Sequence, residues 1–308
     1  MTDLAVSIVS YRVPDLLRQC LAALDTDRHT LTMTVTVVDN ASGDRSAEVV
    51  VGEFPWVRLI RNQRNVGFGA AHNQALRESD ARHLLVLNSD AAPAPGALRT
   101  LVDYLDEHPD VAVVGPKLRY PDGRVQPSRR LFPTLATLFC ESTQLQRFFP
   151  DMQLLRRYYV EDRSAAETQD VDWLVGACLC VRARAAADVG LLDERFFLYS
   201  EELDWCRRFR AAGWRIVYLP SAEVGHHEGA STSLDLAARD QRFQSSKLRY
   251  AEKWHGPGAA RAFRTYLIAE YLARAVEERV KLALGSRPRE RRAQLQVIAA
   301  GLRHALRG

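Results

Sequence analysis

The first 115 residues alternate between short apolar runs and segments whose apolar residues have helical spacing, and this alternation constrains the fold more than any other feature. The runs of strand length are Ala5–Ser10, Thr34–Val38, Val57–Ile60, His83–Leu87 and Val111–Val114. The helical segments between them are Asp15–Leu24, Asp44–Phe54, Gly69–Glu78 and Pro95–Glu107. Strand–helix units in succession predict an α/β fold with a mostly parallel sheet and helices on both faces.

The chain after residue 115 has a different pattern. A hairpin is predicted at Lys117–Gln126, around Pro121-Asp122-Gly123. The other regular segments of this part are two strands and a helix, Val171–Arg182, Trp214–Leu219 and Leu203–Ala212. Phe132–Arg163 has no regular pattern and is rich in aromatic residues, whereas the chain from Ala237 onward has helical spacing, which predicts a helical extension at the C-terminus.

Charge is distributed unevenly along the chain. The net charge is +4, yet residues 240–308 hold 15 Lys and Arg against six Asp and Glu, so the rest of the chain is slightly acidic. A basic helical tail favours an acidic partner. An anionic membrane surface, a solvated basic face and a contact within a homodimer all fit it. Nucleic acid fits it poorly, because the basic residues are not interleaved with aromatic ones.

The cysteine and targeting patterns indicate a cytoplasmic protein. No apolar run reaches the roughly 18–20 residues needed to span a bilayer, and Leu4–Val9 is typical of a strand rather than of a signal peptide. The five cysteines follow no metal-ligand spacing, and Cys178 and Cys180 are expected on one buried face of a strand. Buried thiols fit a reducing compartment. We therefore expect a cytoplasmic location, peripheral on the inner face of the membrane if the basic tail docks there.

Polar residues follow four of the predicted strands. Open parallel sheets bind ligands beyond the carboxyl ends of their strands, and the residues at those ends are Ser10-Tyr11-Arg12, Asp39-Asn40, Arg61–Asn65 and Asn88-Ser89-Asp90. A carboxylate there can accept from a nucleobase, bind a ribose hydroxyl or ligate a hard cation, and the simpler alternative is a helix cap. A helix-capping role fits Asp90 less well than Asp39, because Ala91-Ala92-Pro93 separates Asp90 from the next predicted helix.

The segment Asn65–Asn73 predicts a strand-to-helix turn with two glycines, Gly67 and Gly69. Glycines let backbone amides at a helix start approach a phosphate closely. The alternative is a tight turn without a ligand. The spacing is neither that of the dinucleotide fingerprint nor that of a P-loop.

Two further polar groups lie in the second half of the chain. Glu201, Glu202 and Asp204 begin a predicted helix, directly after the aromatic residues of Phe196–Tyr199. Capping explains one or two of these carboxylates, whereas crowding against apolar groups raises proton affinity, as a general base requires. His226-His227 follows in a Gly- and Ser-containing loop. Neutral imidazole is a common metal ligand, so one of the two is a candidate to share a cation with Asp90; a satisfied core histidine is the alternative.

Taken in order, these residues resemble the family-2 glycosyltransferases of the GT-A fold, especially the bacterial rhamnosyltransferase-like branch. The likeness runs from about Ala5 to Ser233. It rests on eight segments, Ile8–Tyr11, Val37–Ser42, Asn65–Asn73, Leu87–Asp90, Asp122–Gln126, Gly176-Ala177, Phe196–Cys206 and His226–Ser231. The resemblance implies a GT-A catalytic domain over 1–236, with a nucleotide-binding half at 1–115 and an acceptor-binding half at 116–236. A basic helical region follows at 237–308.

The resemblance also implies the donor site and its cation. The donor-binding positions it implies are Ser10, Tyr11, Arg12, Asp39, Asn65, Gly67, Phe68, Asn73, Asn88, Ser89, Asp90, Gly176 and Ala177. Asp39 corresponds to the residue that accepts from the pyrimidine ring of the donor. Asn88-Ser89-Asp90 corresponds to the family's DxD-type motif, so Asp90 would bind Mg²⁺ or Mn²⁺ at the diphosphate. Since Asn88 replaces an Asp, a further ligand is needed, and the motif assigns it to His226.

Glu201-Glu202 corresponds to the pair that carries the family's catalytic base. The base is usually the Asp of a Glu-Asp pair, so Glu202 takes its place here, with Asp204 as the alternative. One carboxylate base without a second nucleophile implies a single displacement and inversion at the sugar carbon. The implied reaction moves a sugar from a nucleotide-sugar to a hydroxyl of a glycan or polyprenyl-linked acceptor.

The donor and the class of protein have alternatives. The branch resembled favours dTDP-L-rhamnose, and UDP-linked hexose or galactofuranose is the alternative. A non-catalytic nucleotide-sugar-binding protein is the alternative from another class, which the departure at Asn88 favours. A nucleotidyltransferase would need a glycine-rich loop after the first strand, and Ser10–Pro14 contains no glycine.

Overall fold

The computed structural model describes residues 2–141, 143–229 and 236–307, and these form two compact units. The described residues of the first unit are 2–132, 159–197 and 201–229. Those of the second unit are 133–141, 143–158, 198–200 and 236–307. The functional boundaries at residues 115 and 236 stay a prediction.

The helices and strands alternate through the first unit and give way to helices in the second. The strands in chain order are β1 (Leu4–Ser10), β2 (Met33–Asp39), β3 (Arg58–Arg61), β4 (His83–Asn88), β5 (Ala91–Pro93), β6 (Val111–Arg119), β7 (Val125–Gln126), β8 (Arg129–Arg130), β9 (Gln169–Asp170), β10 (Trp173–Leu174), β11 (Cys178–Arg182) and β12 (Arg215–His226). The helices are α1 (Pro14–Asp27), α2 (Ser46–Glu53), α3 (Phe68–Leu76), α4 (Ala97–Glu107), α5 (Leu135–Cys140), α6 (Gln144–Phe148), α7 (Gln153–Tyr158), α8 (Ala183–Val189), α9 (Glu201–Ala211), α10 (Leu236–Ala283) and α11 (Pro288–Arg307).

The main sheet of the first unit has the strand order β3-β2-β1-β4-β11-β6-β12-β5, with β7 beside β6 and β9 beside β12. The four strands from β3 to β4 are parallel, as the alternation predicts. Strand β11 enters antiparallel between β4 and β6, so the sheet is mixed but mostly parallel. The predicted α/β class is confirmed, and the insertion of β11 was not foreseen, because pairing between distant strands leaves no local pattern.

Helices cover both faces of this sheet. Leu4, Val6 and Ile8 point to one face, where they pack into a buried cluster with leucines of α1 and α4. Ser7 points to the other face, and its hydroxyl lies 2.8 Å from Nδ1 of His72 in α3. Burial of each such leucine stabilises the fold by about 1.5–3 kcal/mol. The period-2 alternation of β1 therefore fixes which helix covers which face.

Three sequence expectations are corrected in this part of the chain. The predicted strand Val171–Arg182 divides into β10 and β11, with Gly176-Ala177 between them, and β9 lies directly before it. The strand expected to end before Pro220 continues to His226, because Pro220 falls in an interruption of the pairing between Leu219 and Glu223, where its missing N–H costs no ladder bond. Phe132–Arg163, expected to be irregular, contains the short helices α5 to α7.

The second unit is helical, as predicted from Ala237 onward. Helix α10 is interrupted at Gly256, where φ is 86°, directly before Pro257. Beyond the break, Phe263, Leu267 and Tyr271 pack with α11 in a buried apolar cluster. Within the described ranges, none of the helices combines the length and apolar character that crossing a bilayer requires.

Candidate active site

The register of the parallel strands brings their ends to one edge of the sheet. Ser10 of β1 is paired with Asp39 of β2, and Asp39 is paired with Arg61 of β3. On the other side of β1, Val9 is paired with Asn88 of β4. The polar residues that follow four separate strands in the sequence therefore share one edge, as the crossover rule predicts.

Asp39 and Ser10 form the centre of this edge. Oδ1 of Asp39 accepts from the amide of Ser42 at 3.0 Å, so the carboxylate partly serves as a cap of its own loop. The Ser10 side chain is buried, and its Oγ has no hydrogen-bond partner among the described residues. A buried hydroxyl without a protein partner is unusual, because unsatisfied polar groups are costly, and it suits a site that binds a ligand.

Tyr11 and Arg12 follow at the same edge. Arg12 has a φ of 60°, in the left-handed region that residues with side chains seldom adopt. Its guanidinium lies 5.1 Å from the centre of the Tyr11 ring, and its Nε donates to the carbonyl of Ser42. The turn thus places an exposed cation beside Asp39.

Asn40, which the sequence analysis did not single out, joins the loops after β2 and β3. It is almost fully buried. Its Oδ1 accepts from Nδ2 of Asn62 and from the amide of Val66, at 3.1 and 3.0 Å. Its Nδ2 donates to Oδ1 of Asn65 and to the carbonyl of Gly67, at 3.0 and 3.2 Å. Asn65, expected among the donor-binding residues, is therefore engaged in this network.

The glycine-rich turn serves the fold in a way the sequence did not suggest. Gly67 has a φ of 93°, and a Cβ there would lie 2.6 Å from the carbonyl oxygen of Phe197. The amide of Phe68 donates to the same oxygen at 2.7 Å, so this amide at the start of α3 already has a protein partner. Asn73 is buried farther along α3 and bonds both backbone groups of Leu192. Close packing against the segments near Leu192 and Phe197 accounts for these residues, and phosphate binding by them stays a prediction.

Asp90 and His226 meet beyond the end of β4. Nε2 of His226 lies 3.3 Å from Oδ1 of Asp90, and both side chains are largely buried. Nδ2 of Asn88 lies 3.2 Å from the same nitrogen. The amide of His227 donates to the carbonyl of Asp90 at 3.1 Å, while its side chain is exposed. The structure thus brings together His226, and not His227, with the Asn88-Ser89-Asp90 turn.

Gln126 fixes the protonation of the His226 ring. Its Oε1 lies 2.9 Å from Nδ1 of His226, and both residues are buried. Because an amide oxygen only accepts, Nδ1 carries a proton, and in the neutral ring Nε2 then presents its lone pair on the side of Asp90 and Asn88. Strand β7 supplies Gln126, which the sequence analysis noted only as the end of a motif.

The pair of Asp90 and His226 fits a divalent cation. Adjacent ligands of an octahedral ion with bonds of about 2.1 Å are about 3 Å apart, close to the observed 3.3 Å between Oδ1 and Nε2. Within the described residues, no group of three or more His, Cys, Asp and Glu side chains is placed to hold a metal. A cation here would thus need ligands beyond this pair. Ser231, the last residue of the histidine motif, lies outside the described residues.

Glu201 and Glu202 begin α9 with raised proton affinity. Burial raises the pKa of Glu202 above its ordinary value of 4.5, although backbone amides, including that of Gly176, hydrogen-bond the carboxylate and oppose the shift. Burial and the neighbouring charge of Glu202 likewise raise the pKa of Glu201 above its ordinary value. Oε2 of each has no hydrogen-bond partner among the described residues. Glu202 is the more exposed of the two, so it is the more accessible base.

Gly176 and Ala177 connect the acidic helix to the Asn88 turn. Gly176 lies against the side chain of Glu202, where an added Cβ would be 3.5 Å from its Cβ. The carbonyl of Ala177 accepts from the amide of Asn88 at 2.9 Å. Gly176 therefore contacts the candidate base Glu202, and its neighbour Ala177 contacts the turn Asn88-Ser89-Asp90.

Asp204 differs from its two neighbours in α9. Its side chain is fully buried and accepts from Nε of Arg208 at 3.0 Å. The same guanidinium donates to the carbonyls of Val189 and Leu191. An ion pair of this kind fits a structural role better than proton abstraction, since the carboxylate is already bound.

Known proteins are similar to this chain over most of its length. The family model described as glycosyltransferase like family 2 matches residues 2–244. The N-acetylglucosaminyl-diphospho-decaprenol L-rhamnosyltransferase of Mycobacterium tuberculosis is 33% identical over 92% of this chain and 99% of its own length. Rhamnosyltransferase WbbL of Escherichia coli (strain K12) is 26% identical over 61% of this chain and 67% of its own.

Among solved structures, the mannosyltransferase PcManGT from Pyrobaculum calidifontis, in complex with GDP-Man and Mn²⁺, superposes with a TM-score of 0.54 at 16% identity. The match covers 99% of this chain and 88% of that chain. At that identity the likeness concerns the fold alone, and it agrees with the expected GT-A architecture. The family model spans most of the chain, including every predicted site residue. The chain is therefore a glycosyltransferase of family 2.

Proposed function

We propose that this glycosyltransferase moves L-rhamnose from a nucleoside diphosphate donor to a hydroxyl of a lipid-linked N-acetylglucosaminyl diphosphate. The meeting of Asp90 with His226 supports the proposal, because it places a carboxylate and an imidazole side by side at the edge where parallel sheets bind their ligands. The choice of sugar and acceptor rests on the mycobacterial rhamnosyltransferase, whose whole length this chain matches.

The nucleoside of the donor binds at Ser10, Arg12 and Asp39. Asp39 accepts from the N–H of a pyrimidine ring, and Ser10 offers a buried hydroxyl that no described residue satisfies. Arg12 lies exposed at the same edge and suits a negatively charged diphosphate. Thymine and uracil present the same ring N–H, so Asp39 accommodates dTDP and UDP donors alike.

Asp90 and His226 would hold a Mg²⁺ or Mn²⁺ ion. Such an ion would neutralise the charge that builds on the departing diphosphate. The protein presents Oδ1 of Asp90 and Nε2 of His226 toward one position. Gln126 keeps a proton on Nδ1, so that in the neutral ring Nε2 is the nitrogen available to a cation. Asn88 contributes an amide near Nε2 in place of a second carboxylate.

Glu202 acts as the general base. Its unpartnered Oε2 takes the proton of the acceptor hydroxyl while that oxygen bonds to C1 of the sugar and the bond from C1 to the diphosphate breaks. Burial raises the pKa of both carboxylates, and Glu202 is assigned the role of base because its side chain is the less buried of the two. With one base and no nucleophile on the opposite face, the anomeric configuration inverts.

A donor survey tests the proposal. The purified protein is incubated with Mn²⁺, a short-chain lipid-linked N-acetylglucosaminyl diphosphate and one of three donors: dTDP-L-rhamnose, UDP-galactose or UDP-galactofuranose. Release of the nucleoside diphosphate and the mass of the product are measured. We expect product from dTDP-L-rhamnose. Product from a UDP-sugar alone would show that the rhamnosyl donor is wrong, and saturable donor binding without any product would favour the non-catalytic alternative.

A further inference from the structure

The outer face of α10 beyond its break has an unusual composition. The exposed residues between 257 and 284 are Pro257, Gly258, Arg261, Ala262, Thr265, Ala269, Leu272, Ala273, Val276, Arg279, Val280, Ala283 and Leu284. None of them is acidic, and the only charges are two arginines. Four large apolar side chains form what we call the apolar ridge. They are Leu272, Val276, Val280 and Leu284, and they are 51%, 59%, 53% and 80% exposed, respectively.

The ridge is a continuous feature of the helix surface. Its members are spaced four residues apart, so Leu272, Val276 and Val280 lie on one side of α10, and Leu284 follows directly after the helix end. The opposite side of α10 is occupied, since Phe263, Leu267 and Tyr271 pack against α11. Packing within the second unit therefore does not require these side chains to be apolar, and exposed apolar surface of this kind marks an interaction site.

Charged side chains flank the ridge on both sides. Arg279 is exposed on one flank, and Glu277 on the other flank pairs with Arg147 at 3.0 Å. Glu278 lies on the far side of the helix and pairs with Arg291 at 2.9 Å. Beyond α10, Arg287 pairs with Glu290 at 3.3 Å, and Arg289 is exposed at the start of α11. The exposed residues of the face between 257 and 284 thus carry positive charge and no carboxylate, which complements a surface that is apolar inside and anionic outside.

A second exposed apolar group lies next to this helix. Phe148 and Phe149 are 66% and 60% exposed at the end of α6. Their neighbour Arg147 forms the ion pair with Glu277 of α10, so the two aromatic residues lie alongside the helix that carries the ridge. Aromatic side chains are favoured at the boundary between lipid headgroups and acyl chains.

We propose that the apolar ridge docks into the headgroup region of an anionic lipid bilayer, with Arg279 on a lipid phosphate. A helix with one apolar face bordered by cations binds membranes in this orientation without crossing them. A second copy of the chain is the alternative occupant, and sedimentation velocity distinguishes it from a bilayer. The purpose of docking, access to a lipid-linked acceptor, rests on the proposed function.

Vesicle co-sedimentation of the full chain tests the docking surface. Vesicles of phosphatidylcholine with phosphatidylglycerol are compared with vesicles of phosphatidylcholine alone, in the absence of donor and acceptor. The ridge variant combines Leu272→Gln, Val276→Gln and Val280→Gln, which keep helix-forming residues on an exposed face. The single change Val276→Gln is matched with Val51→Gln, since the two valines are 59% and 62% exposed in helices of different units.

We expect the wild type to sediment with the anionic vesicles and the ridge variant to lose about tenfold or more in binding. Val276→Gln should weaken binding and Val51→Gln should not. Arg279→Gln should weaken binding to anionic vesicles several-fold, while Arg184→Gln, an exposed change in α8, should not. Circular dichroism confirms that each variant is folded.

Three outcomes would overturn the docking proposal. They are a wild type that does not sediment with anionic vesicles, a folded ridge variant that binds as well as the wild type, and a ridge variant that only loses self-association in sedimentation velocity. The last would assign the ridge to a second copy of the chain. Transfer to a short-chain acceptor in detergent is measured separately, so a failure of docking and a failure of the proposed reaction are distinguishable.

Discussion

Nε2 of His226 lies 3.3 Å from Oδ1 of Asp90, at the carboxyl edge of the sheet. The two residues come from the ends of β12 and β4, and Gln126 of β7 holds the other nitrogen of the imidazole ring. Three segments that are distant in the chain thus place one imidazole nitrogen and one carboxylate oxygen next to each other. This relationship supports cation-assisted transfer and leads to the first two predictions.

Replacing His226 should separate cation-dependent donor binding from folding. For His226→Gln we expect the affinity for dTDP or UDP in the presence of Mn²⁺ to fall by at least about tenfold, because one of two protein ligands is lost. Calorimetric titration with and without Mn²⁺ measures the effect. His227→Gln is the control, since that side chain is exposed. Equal losses in both variants would contradict the assignment.

Gln126→Leu should weaken the same site without removing a ligand. The change deletes the acceptor for Nδ1–H of His226, so the ring loses its fixed tautomer and orientation. Loss of such an outer partner typically costs about 10–100-fold in metal affinity. Mn²⁺ affinity in the presence of nucleotide gives the readout. Gln126→Glu keeps an acceptor at the same position and should retain most of the affinity, so a similar loss in both variants would exclude the orienting role.

The two carboxylates that begin α9 should respond differently to neutralisation. Glu202→Gln removes the base and should lower kcat by about 10²–10⁴-fold with donor binding nearly unchanged. Glu201→Gln resembles the protonated form that Glu201 favours, so it should retain most of the activity. Steady-state kinetics together with donor titration separate the two effects. Comparable activity losses in the two variants would sink the assignment of roles.

The rate of transfer should fall on acidification above the range of an ordinary glutamate. Burial raises the pKa of Glu202 above 4.5, and only the ionised carboxylate can take a proton. As pH decreases through the raised pKa, the ionised fraction and kcat should therefore decrease together. A pH profile of kcat at saturating donor and acceptor measures this limb. A limb at or below pH 4.5 would contradict the effect of burial.

Gly67→Ala should destabilise the fold. An added Cβ would lie 2.6 Å from the carbonyl oxygen of Phe197, and the φ of 93° disfavours any residue with a side chain. We expect the free energy of unfolding to fall by about 1–3 kcal/mol. Gly52→Ala in α2 is the matched control, because nothing lies within 4 Å of its added Cβ. That change should be neutral or stabilising by up to about 1 kcal/mol. Urea unfolding of both variants measures the change in stability. Equal unfolding midpoints for the two variants would refute the steric argument.

Local sequence patterns predicted much of the fold. Alternating strand and helix periods predicted the parallel strands β1 to β4, because period 2 and period 3.6 are properties of neighbouring residues. They did not predict the antiparallel insertion of β11 or the passage of β12 through Pro220. Both depend on which strand lies alongside, and this information is spread over distant segments.

The sequence by itself determined the chemistry available to this protein, namely carboxylates and polar residues at strand ends, an acidic helix start and a histidine-containing loop. Tertiary structure alone decided their use. It placed His226 beside Asp90 and Gln126, and it paired Asp204 with Arg208. It also brought Asn65 and Gly67 into contacts between loops. The physical reason is that hydrogen bonds and ion pairs act over about 3 Å, so partners far apart in the chain are assigned only when the sheet and its crossovers bring them together.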